Sequence, residues 1–539
     1  MSTTAAVQGP KPRWPKGIPF IVGNEAAERF SFYGMKSILF VYVSLLLVQF
    51  RELGEHDPAR LHAEAHATEI QHLFIAGVYA FPMIGAVLAD RLFGKFPVIM
   101  WVSLIYCAGH AVLAISGDTL TGVYIGLSLI AFGAGGIKPC VSANVGDQFT
   151  AENASLVPKV FQIFYFSINF GSFFSSLITP WLYHRYGADI AFGVPGVLMG
   201  IATLVFFLGR KKFVKIEPKP GGTLGLMDAI ATIALFTPIA MFLFADMLSA
   251  ASRVAIAVGG VLVWLFVFTA RQRKQQDTGF LATVLYCMRN QSKRKAGDGY
   301  FDVAREKFGD EIAEGPMAVI KVAIVFSMVT IFWSLFDQHG TTWVNQANHM
   351  HLPLLPGWLG GDGIDDRILP SQIAALNPAM VMLVIPFLSF VAYPALEKMG
   401  VSITPLRKMS FGMFVAALAF VSVALIQGHI DSSPSKSVHV MWQIIPYIIM
   451  TTSEVLVSAT GLEFAYTQAP RAMKSTMMGF WLLTVSFGNK LTAVLAGLKD
   501  MPLQKLFWIC TALMIVAALL FSILSYFYRG KTFMQESES

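Results

Sequence analysis

Five ionisable or phenolic side chains stand in an otherwise apolar stretch, NEAAERFSFYGMKSILF: Glu25, Glu28, Arg29, Tyr33 and Lys36. Steps of four from Glu25 to Arg29 to Tyr33, then three to Lys36, stack them on one helix face, with Glu28 beside Arg29. A charge at mid-bilayer depth costs at least about 2.5–3.5 kcal/mol, so that face must look into a bundle. Two acids and two bases can simply neutralise one another and fix packing. They also supply what proton coupling requires, carboxylates whose hold on a proton changes as neighbouring bases approach or retreat. The second reading is preferred.

Other residues pose the same question. Lys138 stands in AFGAGGIKPCVSANVGDQF, about ten residues from a helix end and so too deep to snorkel. Gly133, Gly135 and Gly136 before it permit close helix approach, and Pro139 frees a backbone carbonyl. Lys138 is expected beside a central cavity, while GDQF is expected at a helix end in a structural role. Asp337, in FWSLFDQHG, needs a base, and Lys36 is the available one; a salt bridge between them could close one side of a cavity and open on protonation. Glu454, in TTSEVLVSATGL, is suited to grip an ammonium group, because a desolvated carboxylate gains most from a charged donor. Glu463 reads as a packing residue. His72 shares a face with Tyr79 at a spacing of seven, and is either a hydrogen-bonded packing residue or a proton relay near neutral pH.

These charges need long apolar helices around them. Of 539 residues 55% are hydrophobic and 14% charged, and the mean hydropathy is +0.59; a soluble fold would have no place for that apolar surface. Windows of roughly 19 residues resolve about fourteen spans. They fall near 18–48, 68–90, 96–116, 120–142, 158–182, 189–209, 224–245, 252–270, 317–345, 372–396, 405–427, 438–466, 473–496 and 503–528. The expected organisation is a six-helix bundle at 1–216, a two-helix insert at 217–275, a linker at 276–316 and a second six-helix bundle at 317–539. This is an all-α integral membrane protein that resembles the major facilitator fold, two pseudo-symmetric halves around a cavity.

The net charge of +7 reflects orientation rather than nucleic-acid binding, because the basic residues fall in short clusters between spans. Arg210, Lys211, Lys212 and Lys215 follow the sixth span, and Arg271, Arg273, Lys274, Lys293, Arg294 and Lys295 follow the eighth. The positive-inside rule places these loops and both chain ends in the cytoplasm. The loops at 51–66 and at 362–367, the latter with Asp362, Asp365 and Asp366, are expected to face outward. DGYFDVAREKFGDEIAEG (298–315) is expected to lie along the cytoplasmic surface as an amphipathic helix. Cys107, Cys140, Cys287 and Cys510 are irregularly spaced, which excludes a metal or disulfide framework, and no cofactor is implied. MSTTAAVQGPKPRWPKG has no cleavable signal pattern, so the first span is expected to be retained.

Six strings, in order along nearly the whole chain, are similar to signatures of the proton-dependent oligopeptide transporter family. They are Glu25-Ala-Ala-Glu-Arg-Phe, GAVLADRLFGK (85–95), GGIKPCVSANVGDQF (135–149), FQIFYFSINFGS (161–172), FWSLFDQHG (332–340) and EVLVSATGLEFAYTQAP (454–470). GAVLADRLFGK by itself resembles the hinge and gate of the wider major facilitator superfamily. The resemblance implies a symporter, not an enzyme, that imports di- and tripeptides with protons by alternating access, as a monomer in a plasma or bacterial inner membrane. It implies roles in proton coupling for Glu25, Glu28, Arg29 and Lys138, to which the reading of the residues themselves adds the Lys36–Asp337 pair and, as a candidate relay, His72. Arg29 and Lys138 would form the pole for the peptide carboxylate, and Glu454, helped by Asn169 and Asn377, the pole for its amino terminus. Tyr33, Tyr79, Tyr165, Trp333 and Trp481 would line the pocket. Asp337 and His72 look more like the animal type, whereas the insert hairpin is a bacterial trait.

Two other readings compete. A carrier of nitrate or another metabolite on the same scaffold would have no need of Glu454 as an acidic pole. A peptide-sensing receptor would require a signalling domain, and none is recognisable outside the bundle. An ATP-driven pump lacks its G-x-x-x-x-G-K-[ST] phosphate loop.

Overall fold

A computed structural model describes residues 13–530 apart from 55–56, 58, 117, 151–152, 247, 296, 355–366, 401–403 and 499–500. The helices that cross the bundle are α1 (Ile18–Phe50), α2 (Ala59–Phe93), α3 (Lys95–Ser116), α4 (Leu120–Asp147), α5 (Val157–Tyr186), α6 (Ala188–Leu208), α7 (Gly222–Phe244) and α8 (Ala250–Lys274). A short helix α9 (Phe280–Arg289) follows. Then come α10, a pair (Asp310–Ser327 and Val329–Asn348) bent by 41°, α11 (Pro370–Lys398), α12 (Pro405–Ser432), α13 (Val440–Ala465), α14 (Lys474–Ala496) and α15 (Leu503–Phe527). Thirteen of these are long and apolar enough to cross a membrane singly, and the bent pair α10 makes fourteen.

The elements differ from expectation in three places. The helix of α2 begins at Ala59, not near residue 68, so half of the presumed 51–66 loop is helix. ARLHAEAHATEI is too polar to register as a span, but Ala, Leu and Glu are strong helix formers. The 298–315 segment is not one amphipathic helix. It is a turn, a 3₁₀ segment (Asp302–Ala304) and a single helical turn (Arg305–Phe308), ended by Gly309 at φ +84°, after which α10 starts. The surface helix is α9, which the sequence reading passed over. The acid-rich 362–366 stretch lies outside the described residues.

Two large apolar cores form. One joins α1–α6, together with Phe213 and Val344; the other joins α10–α15; Tyr79 packs against both. Lipid takes the remaining apolar surface: the most apolar stretch of α8 has no buried residue at all. The insert pair α7–α8 rests on the first half through Phe236 and Leu243, which join Ala76, Ala80 and Ile84 in a small cluster. Asp228 of α7 holds Arg271 (2.7 Å) and Arg91 of α2 (3.7 Å), and Arg91 also meets Asp277 (3.4 Å). At the other end of the hairpin, Asp246 pairs with the buried Lys490 of α14.

Three helices carry π segments, Leu88–Phe93 in α2, Leu388–Ala392 in α11 and Val455–Ala459 in α13. The first two occupy the second helix of each half. The third begins directly after Glu454, and such wide turns recur at functional positions.

Helix contact at the glycine run is very close. A Cβ on Gly135 would lie 2.5 Å from Phe81 Cβ, and one on Gly136 would lie 2.7 Å from Val102 Cγ1. Gly135→Leu should therefore destabilise the protein by about 1–3 kcal/mol or more, the usual consequence of overpacking. A melting temperature equal to that of the unsubstituted protein in detergent would show that α4 has room to move.

Candidate functional site

The charged face of α1 is buried and largely satisfied. Arg29 Nε lies 2.8 Å from Glu25 Oε1 and 2.7 Å from Glu28 Oε2. Glu28 is fully enclosed, and its Oε1 has no hydrogen-bond partner among the described residues. Arg29 is thus already matched by two carboxylates, and the expected pairing of Arg29 with Lys138 as joint basic pole needs refinement.

Lys138, from α4, is the cation left over. Its Nζ sits over the rings of Tyr79 (4.1 Å) and Phe32 (4.5 Å), a cation–π cradle. No carboxylate lies within salt-bridge distance of it among the described residues, although Glu28 and Glu25 are within electrostatic reach. Pro139 is accommodated inside a continuous α4, and the GDQF end is structural, as read from the sequence: Asp147 closes the helix and meets Lys95 at 2.6 Å.

Glu454 belongs to α13. Its Oε2 accepts from Asn377 Nδ2 (2.8 Å), which also reaches Thr451 Oγ1 (3.1 Å), so its named partners are neutral. Asn169, on α5, donates to the Tyr165 carbonyl one turn back (3.0 Å). The phenols of Tyr33 and Tyr79 lie within electrostatic reach of both Arg29 and Glu454, and that of Tyr165 within reach of Glu454. Trp333 and Trp481 pack edge-on with ring centres 6.1 Å apart, and the buried Trp333 Nε1 has no acceptor among the described residues. Glu463 is exposed rather than packed.

Lys36 and Asp337 meet across the two halves, Nζ to Oδ1 at 2.9 Å. Asp337 Oδ2 accepts from Asn489 Nδ2 (2.8 Å), whose Oδ1 contacts His72 Nδ1 (2.7 Å). His72 Nε2 completes the set with Thr341 Oγ1 (3.0 Å). The carboxylate and the imidazole are therefore linked through one amide. The sequence reading missed Asn489, Lys490 and Thr341; the polar pair Asn489-Lys490 inside VSFGNKLTAV was the available signal.

Further bonds between the halves gather at the same end of the bundle, where α1 finishes and α2 begins. Gln71 donates to the Gly340 carbonyl (3.2 Å), Asn345 to Glu64 (2.9 Å), Ser486 to the Ala76 carbonyl (2.8 Å) and Gln372 to the Leu177 carbonyl (2.9 Å).

Fourteen membrane-crossing helices, two cores and buried charges of both signs between them define a multi-pass membrane protein of major facilitator architecture. The family model described as the POT family matches residues 96–509, and the chain belongs to that family. The chain is similar to the crystal structure of the POT family transporter PepTSo, with a TM-score of 0.76 and 38% identity over 96% of this chain and 98% of that one. It is also similar to an auto-inhibited POT family peptide transporter, with a TM-score of 0.77 and 36% identity over 97% and 99%. Peptide transporter 3 of Caenorhabditis elegans is 33% identical over 77% of this chain and 51% of its own length. Solute carrier family 15 member 2 of Homo sapiens is 31% identical over 84% and 54%. The chain spans about half the length of the curated relatives it matches.

Reversing one partner of the Lys36–Asp337 pair leaves a like-charge contact in a largely buried site, with an expected loss of about 3–5 kcal/mol. Lys36→Asp and Asp337→Lys should each depress the melting temperature, and the double exchange should restore most of it. If the double variant melts no higher than the singles, the contact is incidental.

Proposed function

We propose that this protein is a symporter that imports di- and tripeptides together with protons by alternating access. The observation that carries the reading is a pair of opposite charges with no salt-bridge partner among the described residues. Lys138 stands on the fourth helix of one half and Glu454 on the fourth helix of the other, with Tyr79 within reach of both. A short peptide is a zwitterion whose ends would complete both. Such a site reads the termini, which every short peptide shares, and leaves side chains to shape-tolerant contact with Tyr33, Tyr79, Tyr165, Trp333 and Trp481. The Trp333 Nε1 donor is free to meet a peptide carbonyl. Relatives named as peptide transporters support the same reading.

Proton coupling follows from two groups. Glu25 and Glu28 share Arg29 within reach of Lys138, so a peptide carboxylate arriving at Lys138 changes the field in which they hold protons. Protonating Asp337 removes the ionic partner of Lys36, and the bonds that hold that end of the bundle closed are then weakened. His72, tied to Asp337 through Asn489, is placed to share that proton. The halves 1–216 and 317–539 are the rocking bodies, 217–275 the insert and 276–316 the linker. The basic loops place both termini in the cytoplasm of a plasma or bacterial inner membrane, with the tied end outward. The functional unit is a monomer.

Uptake of a labelled dipeptide into proteoliposomes under an acid-outside gradient tests this. Lys138→Ala should abolish proton-driven accumulation. Glu454→Gln should raise the half-saturating dipeptide concentration on the order of 10–100-fold, the loss of a charge-assisted bond. Unlabelled dipeptide should compete, whereas N-acetylated dipeptide, free amino acids and nitrate should not. Full accumulation by Lys138→Ala, or competition by nitrate as strong as by dipeptide, would overturn the assignment.

A further inference from the structure

The inner end of α8, where the insert meets the linker, holds a second constellation of charge remote from the peptide poles. A cavity of about 230 Å³ is lined by Arg273, Gln276, Tyr286, Arg289, Asn290 and Lys307, among others. It contains three cations and no acid. Three nearby cations of the insert and linker do have carboxylate partners: Lys295 meets Glu306 (2.6 Å), Arg305 meets Asp302 (2.9 Å), and Arg271 meets Asp228 (2.7 Å). Arg273, Arg289 and Lys307 have no carboxylate within salt-bridge distance among the described residues. Two of them are nonetheless held in place, Arg289 by Thr269 Oγ1 (2.9 Å) and Lys307 by Gln276 Oε1 and the face of Tyr286 (4.8 Å).

The position adds a second argument. Leu262, Phe266, Thr269 and Arg273 follow one another at steps of four, three and four, so they form a single stripe on α8. Leu262 and Phe266 are 60% and 76% exposed, on the helix whose apolar stretch has no buried residue. An acyl chain lying along that stripe ends with its headgroup at Arg273, beside Arg289, which Thr269 of the same stripe holds.

We propose that this cavity binds the phosphate headgroup of an anionic phospholipid, pinning the linker between the halves to the membrane surface. The proposal does not depend on what the protein carries. Basic pockets at this depth are suited to such headgroups, each cation contributing about a fivefold gain in affinity.

Native mass spectrometry of the purified full chain, titrated with phosphatidylglycerol or phosphatidylcholine, tests it. The unsubstituted protein should retain phosphatidylglycerol in preference. Arg273→Gln alone should weaken retention about fivefold, and the combined Arg273→Gln, Arg289→Gln and Lys307→Gln variant by on the order of 100-fold. Lys293→Gln with Arg294→Gln, outside the cavity on the same linker, should change little. Equal retention by the triple variant, or equal loss in the Lys293 and Arg294 control, would overturn the site. Displacement of the lipid by millimolar inorganic phosphate would overturn the lipid as its ligand in favour of a free phosphate.

Discussion

Opposite charges set inside the bundle, with no salt-bridge partner among the described residues, are the constraint around which this molecule is built. Lys138 rests on aromatic faces and Glu454 on neutral donors. Both arrangements soften the loss of solvation without cancelling the charge. Had either residue been given an ionic partner, as Arg29 has, the bundle would be more comfortable and less able to respond to a ligand. Their equivalent placement, on the fourth helix of each half, follows from pseudo-symmetry. The local devices differ: a proline inside α4 beside the lysine, and a wide π turn in α13 directly after the glutamate.

A second arrangement ties the halves at one end. The ion pair of Lys36 and Asp337 is extended by Asn489 to His72 and Thr341, so that five side chains from four regions of the chain share one hydrogen-bonded cluster. An amide suits the centre of such a cluster because it donates to the carboxylate and accepts from the ring at the same time. The cluster is ionic at one edge and neutral at the other. A proton arriving anywhere in it changes the strength of the contact between halves.

Much of this was legible in the sequence, and the reason is solvent. In a lipid environment each buried charge is conspicuous, so Glu25, Glu28, Arg29, Lys36, Lys138, Asp337 and Glu454 identify themselves against apolar neighbours, and helical spacing assigns α1 its face. The pairing of Lys36 with Asp337 could be anticipated because few bases were on offer. What sequence alone could not supply was the neutral scaffolding. Asn489 and Thr341 are unremarkable as letters and acquire meaning only when distant helices meet. The start of α2 was hidden by polarity, and the 298–315 segment by Gly309, whose positive φ breaks a periodicity that otherwise reads as helix.

The insert hairpin is fastened to both halves, to Arg91 on α2 through Asp228 and to Lys490 on α14 through Asp246, while the apolar stretch of its outer helix has no buried residue. A paddle attached in this way cannot stay still when α2 and α14 shift relative to each other; it must shear through the surrounding acyl chains or release one of its moorings. In a protein that works by rocking its halves, as proposed above, such a paddle would add viscous drag to each cycle and make the fluidity of the host bilayer a determinant of its speed.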